Sequence, residues 1–114
     1  MRNCFATFFA LAALNALAQG VDSEMLPPER WPTTVSATVA DIVQRMRDED
    51  KKRIRDTKKS DLIQYHHGWG TQIRNYYGLW RGNDKLLTSA CGKICHPDDA
   101  SVIIIEAVWT TLQK

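Results

Sequence analysis

The chain has 114 residues, of which 44% are hydrophobic and 25% are charged, and its formal net charge at pH 7 is +2. This length supports one domain with a modest hydrophobic core. A charge balance so close to neutral argues against nucleic acid as the main partner, because neutralising phosphates requires a strongly basic face.

Residues 1–18 have the pattern of a secretory signal peptide. Arg2 provides the positive start, an apolar run from Phe5 to Leu14 follows, and Ala16-Leu17-Ala18 matches an A-x-A cleavage site. The run is shorter than the roughly 20 residues of a membrane-spanning helix, although an uncleaved anchor is the alternative. We expect cleavage before Gln19, no transmembrane anchor afterwards, and a periplasmic or secreted protein with 14 basic and 13 acidic residues.

The start of the predicted mature chain is polar. Residues 19–30 contain Pro27-Pro28 and are predicted to form a flexible, extended leader. Trp31 is then expected to be the first residue that contacts the core. We predict that residues 31–114 form a single helical domain.

Two helices are predicted next. Thr34 is a suitable N-cap for a first helix with apolar positions at helical spacing, namely Val35, Val39, Ile42, Val43 and Met46. Asp48 can cap a second, short helix that ends at Arg55, with acidic residues first and basic residues last, as the helix dipole favours. The charge run of this second helix is predicted to be a solvated face.

A third helix is predicted to start at Thr57 or Ser60 and to end near Tyr77, where Gly78 suits the C′ position. Its apolar stripe consists of Leu62, Tyr65, His66, Trp69, Ile73 and Tyr76. Gly68 is unusual inside a helix because a glycine there costs about 1 kcal/mol relative to alanine. The glycine suggests a need for close backbone approach or open space.

The remaining elements are also predicted to be helical. Asn83 can cap a short fourth helix from Asp84 to Ala90, and residues 96–99, HPDD, have the proline and acids of a helix start. The β-branched residues 102–105 make a strand the rival prediction for the last element. The sequence favours an all-α fold, a small bundle of four to five helices with one short-loop disulfide.

The cysteines fit an oxidising compartment. Cys4 leaves with the predicted signal, and Cys91 and Cys95 remain as a pair in CGKIC, which predicts a structural disulfide. A redox-active pair is an alternative, but its usual spacing is C-x-x-C. A zinc site formed with His96 is another alternative, and it lacks a fourth ligand.

A polar site is predicted on the third helix. His67 and Arg74 are seven residues apart, which places them within roughly 20° of one helix face. Gly70 and Thr71 lie between them, and Asn75 is close around the helix. A histidine and an arginine beside a glycine could hold a carboxylate or another anion.

Packing is the alternative role for the same residues. Gly68 and Gly70 would then admit another helix or the Trp80 ring, and Arg74 would pair with Asp98 or Asp99. Small residues in buried helices serve packing more often than ligand binding.

Catalytic and metal motifs give little guidance. The sequence has no G-x-S-x-G, P-loop or H-E-x-x-H pattern, so we expect no bound metal and no cofactor. His66 falls on the apolar stripe and is expected to be a hydrogen-bonded core residue. The candidate catalytic residues are His66, His67, Arg74, Asp98 and Asp99.

Aromatic residues are dense around the end of the third helix. Tyr76 and Tyr77 are adjacent, so one of them is expected to point outward. Aromatic residues with arginine are the composition of an interface hot spot. The candidate binding residues are therefore Arg74, Asn75, Tyr76, Tyr77, Trp80 and Arg81.

Three segments, WPTTV, DLIQYHHGWGTQIRNYYGLWRGN and HPDDASVIIIEAVW, resemble a family of small bacterial domains of unknown function. The resemblance extends over Trp31–Leu112. It implies a shared fold and shared site candidates but no activity. The patterns in the second and third of these segments also imply that Arg74 pairs with Asp98 or Asp99 across two helices.

Three functions are consistent with these features. The preferred one is a non-catalytic binding module of the periplasm, inhibitor-like or immunity-like, with a protein partner in the cell envelope. The second is a small envelope hydrolase that uses His66 or His67 as base and Arg74 as anion stabiliser. The third is carriage of a metal or small ligand by the histidines.

Overall fold

The computed structural model describes residues 25–114, and the predicted signal peptide lies outside this range. Within it are five α-helices: α1 (Val35–Arg45), α2 (Asp48–Asp56), α3 (Trp69–Tyr76), α4 (Asp84–Cys91) and α5 (Pro97–Leu112). Two 3-10 helices, Pro28–Arg30 and Lys59–Tyr65, complete the described elements, which include no strand. The predicted all-α fold with a short-loop disulfide is confirmed, and the strand alternative for residues 102–105 is wrong.

Helix α5 organises the core. It packs against α1, α2, α3, α4 and the 3-10 helix Lys59–Tyr65. Its innermost residues, Ala100, Ile104 and Val108, are fully buried. Their spacing of four along the chain keeps them on one face, so the other helices can gather around it. No helix within residues 25–114 is long and apolar enough to cross a bilayer.

Most of the predicted helix starts are confirmed. Thr34 accepts a hydrogen bond from the backbone N–H of Ala37, and Asn83 accepts one from that of Leu86. The prediction for Asp48 as an N-cap is wrong: Arg47 is the N-cap and Asp48 is the first helical residue. Its carboxylate still lies at the positive end of the helix dipole.

The single third helix that we predicted is wrong. The chain forms a 3-10 helix over Lys59–Tyr65, turns, and starts α3 only at Trp69. Gly68 is the N-cap and adopts φ −92° and ψ −82°, outside helical geometry. Apolar positions three and four residues apart fit 3-10 and α-helices alike, so the stripe could not reveal the break. The angle of roughly 20° inferred between His67 and Arg74 is therefore also wrong, because it assumed one continuous helix.

The predicted flexible leader does not describe residues 25–30. Leu26 is buried, and its backbone N–H donates to the carbonyl of Tyr76 over 3.0 Å. Its own carbonyl accepts hydrogen bonds from Trp31 Nε1 at 3.0 Å and from an Arg81 guanidinium N–H at 3.2 Å. Leu26, rather than Trp31, is therefore the first described core residue.

The Cys91–Cys95 disulfide links the end of α4 to the loop before α5. Because the loop has only five residues, loop closure accounts for about 2 kcal/mol of stability. We expect the Cys91→Ser/Cys95→Ser variant to lose about that amount in urea denaturation. Dithiothreitol should lower the stability of the wild type equally and leave the variant unchanged, and a loss in the variant on reduction would contradict this account.

Tyr77 joins α1 to the end of α3. Its side chain is fully buried, and its hydroxyl donates to the Asp41 carboxylate over 2.6 Å. Burial, followed by the hydrogen bond to Asp41, raises the pKa of Tyr77 above the ordinary value of 10.0. The neutral phenol is thus the form that the fold stabilises.

This raised pKa predicts alkaline destabilisation. Above about pH 10 the unfolded state releases the Tyr77 proton while the folded state keeps it, so the free energy of unfolding falls as pH rises. Below that pH the stabilisation is complete. Urea denaturation between pH 8 and pH 11 should show the decline in wild type and a shallower one in Tyr77→Phe. Equal alkaline slopes would show that Tyr77 is not responsible.

Candidate functional site

The most connected polar side chain among the described residues that sequence analysis selected is Arg74, which is only 5% exposed. Its guanidinium donates to Ser101 Oγ at 2.8 Å, to Thr71 Oγ1 at 2.9 Å and to the carbonyl of His66 at 3.2 Å. Its Nε also lies 3.4 Å from Asp98 Oδ1. Arg74 thus has four partners within the domain, and they come from the turn before α3, from α3 and from α5.

Gly70 explains how this guanidinium fits beneath the turn. A Cβ atom added at Gly70 would lie 3.0 Å from an Arg74 guanidinium nitrogen and 3.4 Å from the carbonyl oxygen of Tyr65. The small residue therefore admits the arginine, whereas the packing alternative had it admit another helix or the Trp80 ring. A guanidinium has five N–H donors, and most of these are committed to the protein itself.

We call Arg74 and its partners His66, Thr71, Asp98 and Ser101 the Arg74 cluster. Asp98 lies at the surface end of this cluster and is half-exposed. Its Oδ2 is 3.9 Å from His66 Nε2 and 3.8 Å from His96 Nδ1. His96 Nδ1 accepts a hydrogen bond from the Asp98 backbone N–H at 3.0 Å. The distance to His66 is too long for a hydrogen bond.

These distances matter for catalysis. A general base and the group that orients it are normally within hydrogen-bond reach, about 2.6–3.2 Å. Neither histidine stands at that distance from Asp98. The structure thus brings together His66, Arg74 and Asp98, and the pair of Arg74 with Asp98 links α3 to α5.

The other candidate catalytic residues lie apart from the Arg74 cluster. His67 is exposed on the turn before α3, where its ring meets that of His66 edge-on at 5.0 Å between centroids. Asp99 is exposed in the first turn of α5. Asn75, a candidate binding residue, is likewise exposed on α3.

The expectation that Tyr76 or Tyr77 points outward is wrong. Both rings are buried and meet edge-on at 4.8 Å between centroids. The end of α3 is overlaid by the segment at Leu26 and faces α1 through Asp41, so both rings find partners. Neither tyrosine is available to a partner.

Among the aromatic side chains of residues 25–114, Trp80 is the one that the fold leaves exposed. It is 53% exposed, and its ring meets the His96 ring edge-on at 5.2 Å between centroids. Arg81 follows it and lies over the Trp31 ring at 5.2 Å. Ile94, two residues before His96 in the disulfide loop, is 63% exposed. We call Trp80, Ile94 and His96 the Trp80 surface.

The turn that carries Trp80 is held from several sides. The N–H of Leu79 donates to the Arg74 carbonyl at 3.0 Å, which closes α3 with Gly78 at φ +75°. The N–H of Asn83 returns to the Gly78 carbonyl at 3.0 Å. The indole is thus presented from a fixed backbone.

A groove of about 220 Å³ lies on the other side of His66. Its lining is mainly aliphatic and comes from the 3-10 helix and α5: Leu62, Ile63, Val102 and Ile105, with Lys59, Ser60, His66 and Glu106. Ile63 on its border is 67% exposed.

Metal ligands do not gather in the described part of the chain. No group of three His, Cys, Asp or Glu side chains within residues 25–114 is placed to hold an ion. Both thiols of the zinc alternative are consumed by the Cys91–Cys95 disulfide.

Sequence reasoning missed three residues of importance here. Ser101 is fully buried and both accepts from Arg74 and donates to the Asp98 carbonyl over 2.9 Å. Its place in the segment HPDDAS, residues 96–101, was the available signal. Ile63 and Ile94 look like ordinary core residues by type, and no sequence pattern distinguishes them.

Comparison with known proteins found one relationship. The model of a family described as a domain of unknown function, DUF6794, matches residues 31–112. Neither the comparison with curated proteins nor that with solved structures found a match.

Proposed function

The chain belongs to the DUF6794 family of domains of unknown function, and we propose that it works as an exported, non-catalytic binding module for a protein partner. An inhibitor-like or immunity-like protein of the cell envelope is the form of this function that we favour. Export rests on the signal pattern of residues 1–18 and is supported by the disulfide.

The observation that carries the proposal is the exposure of Trp80. Tryptophan is the residue type most enriched at interface hot spots, and the exposed half of the Trp80 side chain is accessible to a partner. Arg81, beside it, is the other side-chain type enriched at such sites. Of the six candidate binding residues, Arg74, Tyr76 and Tyr77 are buried, whereas Asn75, Trp80 and Arg81 are exposed.

Rigidity supports the same conclusion. The hydrogen-bonded turn at residues 78–83 fixes the backbone of Trp80, and the disulfide fixes the loop that carries Ile94. An anchor that is already ordered loses little conformational entropy when a partner binds. The His96 ring, edge-on to the indole, extends the Trp80 surface beyond a single side chain.

The hydrolase alternative receives less support. Its proposed anion stabiliser, Arg74, is buried and directed at Ser101, Thr71 and the His66 carbonyl. Its proposed base is either exposed His67 or His66 at 3.9 Å from its carboxylate. An oxyanion stabiliser needs N–H groups aimed at an open position, and these are aimed at the protein.

The test is a cross-linking pull-down from a detergent-solubilised envelope fraction of the native cells. We expect wild type to capture one protein. Trp80→Ala should capture at least tenfold less of it, because truncation of a hot-spot residue costs roughly 2 kcal/mol or more of binding free energy. Ile63→Ala is the matched control, since it also truncates a large exposed side chain. Equal capture by wild type and Trp80→Ala, with both folded by circular dichroism, would refute the proposal.

A further inference from the structure

A second feature of the molecule is its uneven charge. Six of the fourteen basic residues outside the predicted signal fall within positions 51–59. We call them the basic segment: Lys51, Lys52, Arg53, Arg55, Lys58 and Lys59. Only two carboxylates, Asp56 and Asp61, lie within residues 51–66, so this stretch carries +4 in an almost neutral protein.

Local ion pairs neutralise only part of the basic segment. Lys52 pairs with Asp56 at 2.7 Å, and Arg53 reaches Asp50 at 3.5 Å. Lys58 and Lys59 are exposed and form no ion pair with any residue of the described chain. An exposed apolar side chain also lies beside Lys59, and such a side chain is not expected on a face that is merely solvated.

That apolar side chain is Ile63. The 3-10 helix that begins at Lys59 presents Ile63 at 67% exposure. Lys59 and Ile63 both border the 220 Å³ groove, whose remaining aliphatic lining comes from Leu62, Val102 and Ile105. Unpaired positive charge and exposed hydrocarbon therefore share one face of the molecule.

This face is held in place by α5. Trp109 Nε1 donates to the Thr57 carbonyl over 2.7 Å, and Gln113 Nε2 donates to the Arg55 carbonyl over 3.2 Å. The backbone between the basic residues is thus fastened to the last turns of α5. The Trp80 surface includes His96, which is the N-cap of that helix.

We propose that the basic segment, together with Ile63 beside Lys59, binds the surface of an anionic phospholipid bilayer. Lysines and arginines near such a surface are attracted to its negative potential, and an aliphatic side chain among them can enter the boundary between headgroups and acyl chains. The face binds the surface peripherally.

The apolar component selects lipid over other polyanions. A nucleic acid or an acidic polysaccharide would use the lysines but would gain nothing from Ile63, which has neither a π-face for stacking nor a hydrogen-bonding group. The proposal is independent of the protein partner proposed above, because the two functions use different residues.

The test is sedimentation of the purified protein with vesicles of phosphatidylglycerol and phosphatidylcholine in equal parts, and with phosphatidylcholine alone. Mass spectrometry ensures that wild type and variants carry the same N-terminus. We expect binding to the anionic vesicles that weakens with salt, and a loss of about fivefold for each lysine removed, hence about 25-fold for Lys58→Gln/Lys59→Gln. Ile63→Ser should also reduce binding severalfold.

Matched controls come from elsewhere on the surface. Lys85→Gln/Lys93→Gln removes the same charge from two other exposed lysines, and Ile94→Ser removes a similarly exposed isoleucine. Both should retain nearly wild-type binding. Three results would overturn the proposal: no binding of wild type to anionic vesicles, equal losses in the test and control pairs, or binding that Ile63→Ser leaves intact while a soluble polyanion competes fully.

Discussion

Replacing Gly78 with alanine is expected to destabilise the domain by about 2–5 kcal/mol. Gly78 adopts φ +75°, a left-handed conformation that costs an L-residue roughly 1–2 kcal/mol. A Cβ atom there would also overlap the Trp31 ring. That ring cannot move freely, because its Nε1 donates to the Leu26 carbonyl and Arg81 lies over its face. Overpacking against such a fixed group adds a further 1–3 kcal/mol, by a rough estimate.

Gly82→Ala separates the two contributions. Gly82 also has positive φ, +104°, but a Cβ atom there would meet nothing within 4 Å. We expect its loss in urea denaturation to be about 1–2 kcal/mol, the backbone share alone. If Gly78→Ala were no more destabilising than Gly82→Ala, the close packing of Trp31 on the end of α3 would be contradicted.

Replacing Arg74 with methionine is expected to cost about 2–3 kcal/mol. The change removes three hydrogen bonds and an ion pair that join α3, the preceding turn and α5. Breaking a fully buried pair costs more, about 3–5 kcal/mol. The half-exposed Asp98 can be solvated after the change, which reduces the loss. Urea denaturation measures it directly.

Asn75→Ala is the control for this variant, since Asn75 is the adjacent, exposed residue of the same helix. It should alter stability by less than about 0.5 kcal/mol. Arg74→Lys should fall between them, because an ammonium group cannot reproduce the fork of the guanidinium. Partner capture by folded Arg74→Met should equal that of wild type. A selective loss of capture, with stability unchanged, would instead make Arg74 part of a binding site.

The helices could be predicted because their signals are local. The apolar spacing of Val39, Ile42 and Met46 and the caps at Thr34 and Asn83 depend only on near neighbours in the chain. The CGKIC spacing similarly indicated the disulfide.

The errors have a common physical origin in contacts between distant residues. Leu26 is ordered by the Tyr76 carbonyl, fifty residues away, and Tyr77 is buried because Asp41 of α1 meets its hydroxyl. Composition around Leu26 and adjacency of the two tyrosines report neither contact. The break at Gly68 was visible as an oddity, but helical periodicity alone could not convert it into a turn.

The geometry around the candidate site residues could be predicted only in part. The pairing of Arg74 with Asp98 followed from the sequence patterns around the two residues. The burial of Arg74 did not, because it depends on hydrogen bonds from the guanidinium to Ser101 and to the backbone carbonyl of His66. The exposure of Trp80 follows from the turn after α3 and could not be read from an aromatic count.

Site-specific photo-cross-linking in living cells tests the central claim, that this domain binds a protein partner through the Trp80 surface. A photoreactive amino acid would replace Ile94, and in a second strain Ile63, two positions of similar exposure. Binding through the Trp80 surface predicts one protein adduct from position 94, abolished by Trp80→Ala, and no protein adduct from position 63. A protein adduct from position 63 alone, or one from position 94 that survives Trp80→Ala undiminished, would contradict it.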